Sequence, residues 1–67
     1  MNSISYCIAV AFEYEKENFF KLINFLKNNI DLEKDEICVI IDTTKDNKNF
    51  VEQIYNIKNI IYNIILL

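Results

Sequence analysis

The 67-residue chain contains no glycine, no proline, no histidine and no tryptophan, and all seven of its basic residues are lysine. Each absence removes a class of chemistry. A dinucleotide-binding fingerprint or a P-loop needs glycines, both to turn tightly and to let backbone N–H groups approach phosphate, so both motifs are excluded. Turns must be built from Asn, Asp and Thr instead. Without histidine there is no imidazole for proton transfer near neutral pH and no Cys/His zinc set. Seven lysines are scattered among ten acids, for a net charge of −3. That leaves no basic face able to track a phosphate backbone, and nucleic acid is not an expected partner.

What is present points to a small folded unit. A hydrophobic fraction of 52% is too high for a disordered chain. The length allows a single domain, and at this size one core is marginal without a staple or a partner. No lysine precedes the first apolar run, which reaches Glu13 without a small-residue cleavage site. No secretory signal is expected, and the location inferred is cytoplasmic. The apolar stretch from Ile54 to Leu67 is interrupted by Asn56, Lys58, Asn59 and Asn63. It is also shorter than the about 20 residues needed to span a bilayer. Cys7 and Cys38 both fall in predicted buried strands. They read as small core residues in a reducing compartment, with a disulfide open to them if the strands are neighbours.

Along the chain, apolar pattern alternates between two periods. Ile4 to Ala11 is a compact, β-branched run and predicts a strand. Phe12 to Glu15 forms the exit turn, with acids suited to a helix start. Lys16 to Ile30 has helical period: Phe19, Leu22, Ile23, Leu26 and Ile30 share a stripe flanked by Phe20 and Phe25, with Lys21, Asn24, Lys27 and Asn28 opposite. Glu36 to Ile41 is a continuous apolar run ending on Asp42, as in a buried parallel strand. Thr43 to Lys48 is the following loop. Asn49 offers an N-cap with Glu52 as its capping-box partner, which places a second helix over residues 49–56. The stretch 59–67 could continue that helix or form a third strand, and its β-branching favours the strand. The result is a small, open α/β unit of two or three layers, β-α-β-α-β, with parallel strands and right-handed crossovers. Ligands of such sheets bind outside the carboxyl ends of the strands, where Asp42 lies.

The ordered set of segments resembles the start of inverting glycosyltransferases of the GT-A fold, the family-2-like group. Residues 4–13, Ile-Ser-Tyr-Cys-Ile-Ala-Val-Ala-Phe-Glu, are similar to that family's first strand, which runs into Pro-Thr-Tyr-Asn-Glu. Residues 19–26 are similar to its first helix. Residues 37–47, Ile-Cys-Val-Ile-Ile-Asp-Thr-Thr-Lys-Asp-Asn, resemble its second strand and Val-Val-Asp-Asp-Gly-Ser-Thr-Asp-Asn loop. Residues 58–63 resemble its third strand. The resemblance implies a Rossmann-like half of a GT-A domain, with all 67 residues as one partial domain. It also implies a role in holding a nucleoside diphosphate sugar, usually of uridine or guanosine. By matched position, Asp42 falls on the acid that holds base or ribose, and Glu13 on the acid of the Asn-Glu pair near the nucleoside. Ala9 and Ala11 fall on the Pro and Tyr positions.

The family's divalent cation, such as Mn or Mg, is held by an Asp-x-Asp motif after the fourth strand, and its catalytic base is a later acid. Neither motif has a counterpart here. Asp42 and Asp46, four apart in a loop, read as turn acids rather than a metal pair. The function expected is thus a truncated or degenerate glycosyltransferase-like nucleotide-sugar-binding region without independent catalysis, and no cofactor of its own. Self-association through an exposed sheet edge is expected as well. The alternative is an α/β interaction module docking through its Ile-rich C-terminus, residues 57–67.

Overall fold

A computed structural model describes residues 3–67. Among them are three strands and two α-helices, in the order β1 (Ser5–Val10), α1 (Lys16–Asn29), β2 (Glu36–Ile41), α2 (Lys48–Asn56) and β3 (Asn63–Leu66). Short 3-10 turns at Glu13–Glu15 and Lys58–Ile60 lead into α1 and out of α2. The sheet order is β1-β2-β3, and both pairings are parallel. This is the expected open α/β unit.

Sequential strand order combined with right-handed crossovers puts both helices on one face of the sheet. The central strand records this by strict alternation. Ile37, Val39 and Ile41 are fully buried at 0% exposure, while Glu36, Cys38 and Ile40 between them are only half-buried. The buried side of β2 packs with Phe19, Ile23 and Leu26 of α1 and with Phe50 and Ile54 of α2 in one cluster. Phe19 meets Phe50 edge-on at 5.4 Å between ring centroids, which joins the two helices above β2. That geometry is a favoured one for aromatic pairs. The opposite face carries Ser5, Cys7 and Ala9 of β1, all exposed. The unit is therefore two-layered, whereas parallel sheets are usually covered on both faces.

The uncovered face corrects one expectation. Cys7 is exposed, Cys38 is half-buried and both thiols are free, so neither belongs to the core. A continuous apolar run suggests burial on both sides, but only alternate residues here find a layer to pack against. The stripe on α1 is also narrower than expected, because Leu22 is 42% and Phe25 61% exposed. Helix α2 begins one residue early, at Lys48, with Asn47 and not Asn49 at its N-cap. The stretch after α2 is a strand, but only from Asn63. Before it, buried Ile61 and half-buried Ile57 and Ile60 close the base of the core. Of the apolar side chains in the tail, Tyr62, Ile65, Leu66 and Leu67 remain exposed.

A domain of this length is stabilised by roughly 3–10 kcal/mol in total. Truncating a fully buried Phe costs about 3–5 kcal/mol. Phe50→Ala should therefore abolish most of the cooperative urea transition followed by circular dichroism, whereas Phe25→Ala should change stability by no more than about 0.5 kcal/mol. Equal effects would contradict the packing described.

Candidate functional site at the carboxyl ends of the strands

The three strands end level with one another, since Val10 is opposite Ile41 and Ile41 opposite Leu66. Beyond that line the backbone is tied across the sheet. Asp42 N donates to Val10 O at 3.0 Å, Leu67 N to Ile41 O at 2.8 Å and Thr43 N to Leu67 O at 3.0 Å. The Thr43 hydroxyl donates to the same Leu67 carbonyl.

Asn47 holds the loops together. It is the one buried polar residue among those described, at 3% exposure. Its Nδ2 donates to the carbonyl of Ala11 and, at 2.9 Å, to that of Asp42. Its own carbonyl accepts from Val51 N at 3.0 Å in the first turn of α2. The side-chain amide thus ties the loop after β1 to the loop after β2, and the backbone carbonyl of the same residue joins them to the start of α2. A buried amide persists in such a place because its donors are satisfied.

Two carboxylates are set by these loops. Asp42 Oδ1 accepts from the Thr44 amide at 2.9 Å and from the Thr44 hydroxyl at 2.5 Å, which makes an Asx turn. The Thr44 hydroxyl first, then its amide, hold the Asp42 carboxyl below its ordinary range, and Lys45 adds to the effect. Asp42 is therefore ionised at neutral pH. Glu15 Oε1 accepts from Phe12 N at 2.7 Å and from Ala11 N at 3.0 Å. The Phe12 amide first, then the Ala11 amide, lower its pKa against a small opposing effect of burial. Paired amides at a strand-to-helix turn are where a phosphate would sit. Here an internal carboxylate fills that position.

A cleft of about 310 Å³ opens over the strand ends. Its lining includes Ala9, Ala11, Phe12 and Tyr14 from β1 and the turn after it, and Ile40 and Asp42 from the end of β2. Phe12 and Tyr14 stack with centroids 5.3 Å apart and planes 16° from parallel. Tyr14 is 80% exposed, so the side of its ring turned away from Phe12 is open to solvent. Lys45 Nζ lies 5.4 Å from the centre of the Phe12 ring, within range of a cation–π contact.

Of the residues expected from sequence, Ala9, Ala11 and Asp42 line this cleft and Glu13 does not. Glu13 sits in the 3-10 turn, where its Oε2 is shielded from solvent without a hydrogen-bond partner among the described residues. Asp46 is exposed in the loop, and no group of three or more metal-ligating side chains occurs among the described residues. Sequence reasoning missed Glu15, Asn47 and the Phe12–Tyr14 pair. The signal available was half of a capping box, an acid three residues after the N-cap position that reaches back to its amide, since Phe12 has no side-chain acceptor to complete the motif. No helix of the described residues is long and apolar enough to cross a membrane. No protein-family model, curated protein or solved structure matches the chain.

Replacing Asn47 by Ala leaves two loop carbonyls without their donor. At about 1–3 kcal/mol for an unsatisfied buried group, the loss should be about 2–3 kcal/mol by urea denaturation. A loss below about 0.5 kcal/mol would show that the amide does not hold the loops.

Acid should also find this edge. A depressed folded-state pKa contributes stability that is complete above the unfolded value and lost as pH falls through the folded one. For Glu15 and Asp42 that loss starts near the ordinary carboxylate values of about 4 and extends below them. Glu15→Gln, which can still accept from both amides, should flatten the decline in denaturation midpoint below about pH 4. An unchanged acid profile in that variant would remove Glu15 as a contributor.

Proposed function

We propose that the strand-end cleft binds the nucleoside of a nucleoside diphosphate sugar, as one corner of a glycosyltransferase-like donor site. The observation that carries this reading is the presence of an ionised carboxylate, Asp42, and an open aromatic surface, Phe12 and Tyr14, in the lining of one cleft. The cleft lies outside the carboxyl ends of parallel strands, the usual ligand position in open α/β sheets. Asp42 would accept hydrogen bonds from ribose hydroxyls. The exposed ring of Tyr14 offers a surface on which a base can stack, and stacking tolerates any base.

Glu15 constrains the pose. With the amides of Ala11 and Phe12 already engaged, the diphosphate is directed away from that turn and toward Lys45. The role proposed for these residues is binding, and no catalytic step is assigned to them. The test is a titration of the labelled chain with uridine diphosphate and guanosine diphosphate, followed by amide NMR shifts. Shifts should cluster at residues 9–14 and 42–45, and Asp42→Asn should weaken binding about tenfold or more, the loss of one charge-assisted hydrogen bond. No shift at millimolar nucleotide would overturn the proposal.

A second reading, an interaction module, is favoured by the open boundaries of the sheet. β1 is an edge strand, and the neighbouring uncovered face is largely apolar. Exposed edges of this kind pair with other chains. Residues after Asn56 supply buried Ile61 and the β3 ladder, so they belong to the fold and not to a detachable docking tail. Light scattering across a concentration series should show self-association, and a clean monomer at millimolar concentration would count against it.

A further inference from the structure

The helix-free face of the sheet carries both cysteines of the chain. Cys7 and Cys38 are direct partners in the parallel register of β1 and β2. Partnered residues of neighbouring strands project from the same face. The strands of a sheet lie about 4.8 Å apart, within the Cα separation of about 4.4–6.8 Å that a disulfide spans. Both thiols are free, and neither is held in the core. Cys7 is the more exposed of the two. Burial first, then the Glu36 carboxylate and the neighbouring Cys7, push the Cys38 thiol up. Cys38 therefore stays protonated at neutral pH, while Cys7 is the sulfur an external reagent meets first.

We propose that Cys7 and Cys38 form a cross-strand dithiol that closes to a disulfide by exchange with a small-molecule disulfide. In the first step the Cys7 thiol gives its proton to solvent and its sulfur attacks one sulfur of the reagent. Its S–S bond breaks, one half departs as a thiolate and a mixed disulfide remains on Cys7. In the second step Cys38 passes its proton to solvent or to the departed thiolate, and its sulfur attacks Cys7 Sγ. The second half then leaves as a thiolate. Two protein thiols are oxidised and one small disulfide is reduced to two thiols. The second step is intramolecular between groups that the strand register already holds side by side, so the mixed disulfide is short-lived. The closed loop contains the whole of α1 and pins β1 to β2 two residues below Ala9 in the cleft wall.

The reduced full chain incubated with oxidised glutathione, then examined by intact and peptide mass spectrometry without reductant, tests this. The expected product is a monomer lighter by two hydrogens, with a Cys7–Cys38 cross-linked peptide. Its thermal midpoint should rise by more than about 5 °C and return on reduction. Cys38→Ser should stop at one glutathionyl group on Cys7, and Cys7→Ser should react far more slowly. The wild-type chain in urea should accumulate the mixed disulfide that the folded chain does not. The proposal is overturned if the folded chain keeps two free thiols, retains a stable glutathionyl group, or yields only disulfide-linked dimers.

Discussion

Asn47 sits where three segments have to agree. Strands β1 and β2 are held in register by their ladder, but the ladder ends at Val10 and Ile41. Beyond it, Ala11 and Asp42 each present a carbonyl that the sheet no longer satisfies, and the Asn47 amide donates to both. The same residue stands at the N-cap position of α2, where its backbone carbonyl accepts from Val51 N, and Phe50 and Ile54 of that helix close the core over β2. Position of the cleft, direction of the second helix and burial of the aromatic pair Phe19–Phe50 therefore share one small group. The carboxylates on either side are organised by the loops it fixes. Asp42 is turned onto Thr44 and Glu15 onto the Ala11–Phe12 turn. In a sheet without glycine, side-chain acceptors and donors do the work that a flexible loop backbone does elsewhere.

Much of the architecture was legible in the residues. The limits of β2 coincide with those expected, because an uninterrupted β-branched run bounded by acids has few other solutions. Helix α1 followed from the spacing of Phe19, Ile23 and Leu26, and the parallel pairing from the alternation of element types. Three things were not legible, each for a physical reason. Exposure of Cys7, Leu22 and Phe25 depends on how many layers cover the sheet, which a local pattern does not encode. The N-cap at Asn47 rather than Asn49 depends on which amide reaches the strand-end carbonyls, and that is a tertiary contact. The start of β3 at Asn63 depends on Ile57, Ile60 and Ile61 first finding the core, and apolar content alone does not separate that turn from the strand.

The candidate site was partly visible in the same way. Ala9, Ala11 and Asp42 fall at strand ends, and strand ends were well placed by the pattern, so these three converge on the cleft. Glu13 was chosen by matched position in a resemblance, and the intervening 3-10 turn carries its side chain out of the cleft lining. The aromatic wall went unread because Phe12 and Tyr14 are two apart in a segment with no regular period, where only the turn geometry makes them stack.

None of the described residues adopts a positive φ, and the chain has no glycine. Every bend is therefore made in backbone conformations that ordinary residues already favour. Glycine would give the denatured ensemble extra freedom to surrender on folding. Its absence removes that freedom, while the absence of proline leaves every φ of the coil unlocked, so the two omissions act on the denatured ensemble in opposite directions. The slight hydrophobic interior is left to supply the cohesion of the native form.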